Sequence, residues 1–236
     1  MIISEKKFAQ AFTSYWKEHL PWFSNYYSTI NALGKRFGRP IEIEEASDQV
    51  YINNIIASTH FENILKEPDC KIDKSFKDSI PIIDAFSKQK RMDYSLTDEY
   101  REIISKQAER LISKYNNMLV HNPSFPGYGV MGNCKGDLLC GTTLVEIKAN
   151  RQGNRKPFKP EDFRQLLVYC ALNYLADSKY KINKIELFNP RMGYVWQSDL
   201  EDFIYIITDS TSSELFESIG DYLSELSDSI DLATDI

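Results

Sequence analysis

One stretch constrains the fold more than any other: GDLLCGTTLVEIKAN, from Gly136 to Asn150. Asp137–Cys140 and Thr143–Ala149 carry the apolar and β-branched residues of two short strands. Gly141-Thr142 between them supplies a tight hairpin turn. Successive side chains of a strand point to opposite faces, so Glu146 and Lys148 share one face and Ile147 takes the other. Asp137, at the start of the first strand, meets Glu146 across the hairpin. Two carboxylates and an amine thus converge at one end of a hairpin whose remaining positions are made to be buried.

Helices surround this hairpin in the pattern. Lys6–Leu20 and Trp22–Leu33 have aromatic and apolar residues at helical spacing, divided by Pro21. Ser47–Lys66 reads as a helix, Glu67–Lys77 as a polar loop and Pro81–Lys90 as a short amphipathic segment. A long helix is predicted from Thr97, its N-cap, to about Met118. The Pro/Gly-rich HNPSFPGYG follows, and Val130–Asn133 is predicted as the strand before the hairpin. After the basic loop RQGNRKPFKP, Glu161–Ala176 carries an apolar helical stripe; Ile182–Phe188 and Gly193–Gln197 are strands. Acidic helices are expected around Leu200–Ile207 and Ser212–Leu226, with an irregular tail of about ten residues. The division expected is residues 1–95 as a helical cap, 96–198 as the core and 199–236 as acidic helices and tail. The fold class expected is α/β (α+β) with a mixed sheet.

The formal charge of −6 argues at first against a polyanionic partner, but its distribution reverses that. From Asp199 onward there are eleven acids and no Lys or Arg, so residues 1–198 carry +5. Asn133–Pro160 alone carries +4, beside the Asp/Glu/Lys cluster. A locally positive groove is what a polyanion requires. Cys70, Cys134, Cys140 and Cys170 form no CxxC pair, so zinc, iron–sulfur and disulfide frameworks are not expected. His19, His60 and His121 lack metal-ligand spacing. No run of about 18 apolar residues is present, and the N-terminus lacks a signal-peptide apolar region; a cytoplasmic protein without a membrane partner is expected.

Asp137 and Glu146 suit a hard cation. Mg2+ takes oxygen ligands in octahedral geometry and keeps several waters, so two carboxylates plus a backbone carbonyl, that of Ile147, suffice when a phosphate supplies the rest. Lys148 beside such an ion is placed to orient water or neutralise developing charge. Arg151, Arg155, Lys156 and Lys159 leave the same strand in a loop suited to backbone phosphates, and Arg191 ends the following strand. The N-terminal aromatics suit core packing better than base stacking.

GD…LVEIKA followed by FRQLLVYCALNYL resembles the PD-(D/E)XK nuclease superfamily, in particular its RecB-like branch, over about 100 residues. That branch follows the E/D-x-K strand with a Q-x3-Y helix, and Gln165 and Tyr169 stand in that spacing. Cys134 stands where the branch often has a glycine. The resemblance implies a restriction-endonuclease-like α-β-β-β-α-β core, metal binding by Asp137 and Glu146, a catalytic Lys148, and Gln165 and Tyr169 in support. A further acid often comes from the preceding helix; Glu109 is the best-placed candidate, then Glu102. The function implied is a Mg2+-dependent deoxyribonuclease, with Mn2+ able to substitute, in bacterial anti-phage defence or restriction, alone or as a subunit. The alternative is a catalytically silent nuclease fold serving as a DNA-binding or scaffold subunit. The acidic C-terminal helices or the N-terminal helices are candidate surfaces for a protein partner; the oligomeric state is open.

Overall fold

The structure is a computed structural model that describes residues 2–41, 47–86, 95–115, 119–148 and 157–234. In chain order its elements are α1 (Glu5–Ala11), α2 (Thr13–His19), α3 (Phe23–Ser28), α4 (Ile30–Leu33), β1 (Lys35–Arg36), α5 (Ser47–Lys66), α6 (Ile72–Phe86), α7 (Asp98–Lys114), β2 (Leu119–His121), β3 (Ser124–Phe125), β4 (Cys134–Lys135), β5 (Leu138–Cys140), β6 (Thr143–Ile147), α8 (Pro160–Leu175), β7 (Lys184–Asn189), β8 (Tyr194–Asp199), α9 (Leu200–Thr208) and α10 (Ser212–Thr234). The fold is mixed α/β. Six strands form one mixed sheet in the order β1-β8-β7-β6-β5-β2, and β3 and β4 pair separately.

The hairpin forms in the expected register, with Cys140 opposite Thr143 and Leu138 opposite Val145. Gly141 takes φ +59° in its turn. β6 then pairs in parallel with β7, with Val145 opposite Glu186. Parallel neighbours need a long crossover, and α8 provides it. Both faces of the sheet are covered, so its strands read as apolar runs rather than alternations. Leu139, Leu144, Ile185 and Leu187 pack against α8 and its neighbours, and Leu138, Val145 and Phe188 pack against α5 and α7.

The first strand of the meander is not the expected one. Val130–Asn133 stays outside the sheet, and β2 takes its place, with Leu119, Val120 and His121 opposite Cys140, Leu139 and Leu138. Val130 and Met131 are apolar because their side chains are buried in the core on the α8 side, and the backbone there ties two distant segments together. The Ile3 amide donates to the Val130 carbonyl at 2.9 Å, and the Val130 amide donates to the Leu223 carbonyl at 3.3 Å. Gly129 makes this approach possible: its φ is +54°, and a Cβ there would lie 2.4 Å from the Leu223 oxygen. Gly129→Ala is therefore expected to cost about 2–4 kcal/mol through left-handed strain and overpacking, read as a lower urea midpoint at unchanged slope.

Other boundaries move for similar reasons. Pro81 lies inside α6 rather than starting a helix, and the segment read as a loop supplies that helix's first turns. Burial of Ile83, with Ile72 and Phe76 packed on the same cluster, outweighs the hydrogen bond lost at Pro81. α10 runs on to Thr234, into the region expected to be irregular. Thr97 does cap α7, its hydroxyl accepting from the Tyr100 amide at 3.3 Å.

The residues before 96 do not form one cap. Phe8, Tyr15, Trp16, Phe23 and Ile30 join the core on the α8 side together with α9 and α10. Ile52, Ile56, Phe61 and Ile64 of α5 join the core on the α7 side. The aromatics of α1–α3 are thus mostly core: Trp16 is buried, although Trp22 is exposed. Among the described residues no helix is long and apolar enough to cross a membrane.

Candidate functional site

The sheet brings the C-terminal end of β6, the residue before β5 and the first turns of α8 to one place. Glu146 and Lys148 follow Leu144 on the α8 side of the sheet. The Lys148 ammonium donates to Glu146 Oε1 at 2.8 Å and to Gln165 Oε1 at 3.0 Å, and Asp162 Oδ1 lies 3.5 Å from it. Gln165 Nε2 in turn donates to the Tyr169 hydroxyl at 2.7 Å. Tyr169 is held by stacking on Phe125, with ring centroids 5.2 Å apart. Asp137 accepts from the Ile147 amide at 2.7 Å, which fixes its carboxylate against the end of β6. Asp137, Glu146, Lys148, Gln165 and Tyr169, expected to act together, form one connected cluster.

Asp162 joins this cluster unannounced by the motif. It also accepts from the Lys159 amide at 2.7 Å and so caps α8, which begins with Pro160 at its first position. One signal for it was present: Asp162 and Gln165 are three apart, hence on one helical face.

The electrostatics are those of a charged cluster held in a dry place. Glu146 is 4% exposed, and its second oxygen, Oε2, is buried with no hydrogen-bond partner. Burial first, and then the nearby Asp137 charge, push the Glu146 carboxyl up to about 8. Burial also raises Asp137, against the pull of Lys148. Burial works to lower Lys148, but the carboxylates of Glu146, Asp162 and Asp137 outweigh it and hold the ammonium above its ordinary range. Burial raises the Tyr169 phenol as well, so it stays a neutral hydrogen-bonding group.

An orphaned carboxylate oxygen beside a second raised carboxyl fits a hard divalent cation, because the cation supplies the missing partner and restores both charges. Among the described residues no third Asp, Glu, His or Cys completes a side-chain cage around them. A cation there would draw its remaining ligands from the Ile147 carbonyl, water and substrate oxygens, a set that Mg2+ tolerates.

Two clefts flank the cluster. One, of about 190 Å3, is lined by Lys6, Gln10, Lys148, Lys159, Asp162 and Gln165 among others. The other, about 60 Å3, lies on the α5 side and is lined by Glu62, Asn122, Asp137 and Ile147 with Ser58, Phe61 and Leu65. Glu62 adds to the upward pressure on Asp137. From α5 it lines the smaller cleft with Asp137, and it lies 3.8 Å from Lys66 on its own helix. Glu109 is exposed on α7 and lines neither cleft, and Glu102 is paired with Lys106 on the same exposed surface. No sequence spacing links α5 to the hairpin, so Glu62 had no local signal.

Of the basic residues expected to meet nucleic acid, Lys159 lines the larger cleft, 4.0 Å from Glu161. Arg151, Arg155 and Lys156 lie outside the described residues. Arg191 is 2% exposed and sits in the turn between β7 and β8, its carbonyl accepting from the Ile41 amide at 2.9 Å. It supports that turn rather than a surface for DNA. Asn189 Nδ2, at the same end of β7, donates to the Pro157 carbonyl at 3.0 Å and anchors the far end of the basic loop. Comparison with protein-family models, curated proteins and solved structures finds no match for this chain.

Proposed function

We propose that the chain is a divalent-metal-dependent nuclease that hydrolyses DNA phosphodiester bonds. The observation that carries this reading is the buried, unpartnered oxygen of Glu146, set beside Asp137 and joined through its other oxygen to Lys148. The mixed sheet supports the reading: α7 precedes β2, the separate β3-β4 pair intervenes, and antiparallel β5 and β6 are followed by α8 and a parallel β7, an order compatible with the α-β-β-β-α-β core that the resemblance implies.

Mg2+ held by Asp137, Glu146 and the Ile147 carbonyl would polarise the phosphate and lower the pKa of a water. The chain's own residues do the rest. Lys148 is kept cationic by Glu146, Asp162 and Asp137, the first ionised once a bound cation has displaced its proton, so it binds a phosphate oxygen or orients the attacking water and offsets charge as it develops. Gln165 fixes the ammonium's direction and Tyr169 fixes Gln165. Asp162 shares the ammonium with Glu146, which keeps Lys148 in place when Glu146 is engaged elsewhere. Burial of the cluster keeps competing bulk water away and strengthens each of these interactions.

The test is incubation of the purified protein with linear duplex, circular duplex and single-stranded DNA, and with RNA, in Mg2+ or Mn2+. Cleavage of DNA that EDTA abolishes is expected. Intact DNA in every reaction, from folded protein, contradicts the reading.

A further inference from the structure

We propose that helix α1 supplies a second phosphate-binding position to this site, in which Lys6, with Gln10 and Lys159 beside it, binds a nucleic-acid phosphate next to the one at Lys148. The inference rests on the nuclease reading and deepens it. Lys6 and Gln10 are four apart on α1, hence on one face, and both line the cleft that Lys148 and Gln165 line from α8's side. The three lysines of that cleft differ in how far they are already engaged. Lys148 is bonded to Glu146 and shared with Asp162, and Lys159 lies 4.0 Å from Glu161. Lys6 is exposed and forms no ion pair among the described residues. Its charge is nonetheless felt at the centre: it favours the ionised forms of both Asp137 and Glu146.

The position of Lys6 is set by the fold. Ser4 caps α1 by accepting from the Lys7 amide at 3.2 Å. Phe8, on the other face, is buried, and Ala9, buried too, lines the cleft between Lys6 and Gln10. The Trp16 indole donates to the Phe8 carbonyl at 2.9 Å. Arg164, next to Gln165 on α8, donates to the Ala9 carbonyl at 3.3 Å and lies over the rings of Trp16 and Phe23. One arginine thus clamps α1 to the helix that carries the catalytic-site glutamine. A solvated lysine on a helix needs no such mounting, and Lys7, on the same helix, lines no cleft with Lys148.

An internal backbone phosphate and a phosphate at a strand end present the same chemistry to Lys6, so the test carries both. Binding of fluorescent single-stranded oligonucleotides is followed by anisotropy with Ca2+ in place of Mg2+, for wild type, Lys6→Ala, Lys6→Arg and Lys7→Ala. The substrates are a 5′-phosphorylated strand, the same strand with a 5′-hydroxyl, and a circle. Lys6→Ala is expected to weaken binding about 5- to 10-fold and to reduce the salt slope by about one, with Lys6→Arg near wild type and Lys7→Ala within about twofold. A loss confined to the phosphorylated strand assigns Lys6 to a terminal phosphate; a loss shared by the circle assigns it to the backbone. Equal, small losses for Lys6→Ala and Lys7→Ala overturn the proposal and leave the nuclease reading standing. No binding of these strands by wild type overturns the proposal, and no binding of the same sequence as a duplex either overturns both.

Discussion

Glu146→Ala and Lys148→Ala are each expected to lower the single-turnover rate of DNA cleavage by about three orders of magnitude or more, by separable routes. Glu146→Ala removes one of two carboxylates from the cation site, so its loss includes weaker metal affinity. Lys148→Ala leaves Asp137 and Glu146 in place, so metal binding persists while the rate falls. Neither change should unfold the protein. After Glu146→Ala the ammonium retains Gln165 at 3.0 Å and Asp162 at 3.5 Å. The sheet beneath is held by Leu144, Val145, Ile185 and Leu187, which neither substitution touches. Rates within tenfold of wild type for both variants would remove the cluster from the chemistry.

The second large effect concerns stability rather than rate. Glu146 has a folded-state pKa raised from 4.5 to about 8. Below pH 4.5 it is protonated whether the chain is folded or not, and folding carries no penalty from it. As pH rises from 4.5 towards 8 the unfolded chain ionises first, so the metal-free folded state loses stability by up to about 1.4 kcal/mol per pH unit, and above 8 the loss is complete. Glu146→Gln has no proton to lose there. In EDTA it is expected to match wild type near pH 4.5 and to exceed it by about 2–4 kcal/mol at pH 8.5, seen as a higher melting temperature. Saturating Mg2+ should close the gap, because the cation binds only the folded carboxylates. Parallel curves of melting temperature against pH for the two proteins would mean that Glu146 is ordinarily solvated or otherwise satisfied.

Legibility in the sequence followed the range of the interactions. The hairpin, the Thr97 cap and the bounds of α5 are set by residues a few positions apart, and reading turn chemistry and periodicity located them. Strand alternation across the hairpin pointed to Asp137, Glu146 and Lys148, and the resemblance pointed to Gln165 and Tyr169; the fold brings the five together. Residues joined only by the tertiary fold were missed. Glu62 and Lys6 reach the site from helices whose sequence spacing to the hairpin carries no information. Val130-Met131 and Leu119-Val120 are equally short apolar runs, and only their distant partners, Ile3 and Leu223 for one and Leu138–Cys140 for the other, decide which becomes a sheet strand. The helical N-terminal part looked like one unit in sequence because both of its halves are amphipathic. The sheet between them separates the halves onto opposite faces.

Everything proposed for this site depends on Asp137 and Glu146 taking up a divalent cation together. The most direct measurement is a calorimetric titration of Mn2+ into metal-free protein at pH 7, in two buffers of different ionisation enthalpy, for wild type and Glu146→Gln. The account predicts saturable binding by wild type with release of about one proton per ion, since the cation displaces the proton that burial leaves on Glu146. It predicts at least about tenfold weaker binding, without that proton, for Glu146→Gln. No binding by wild type, or binding that the substitution leaves unchanged, would contradict it.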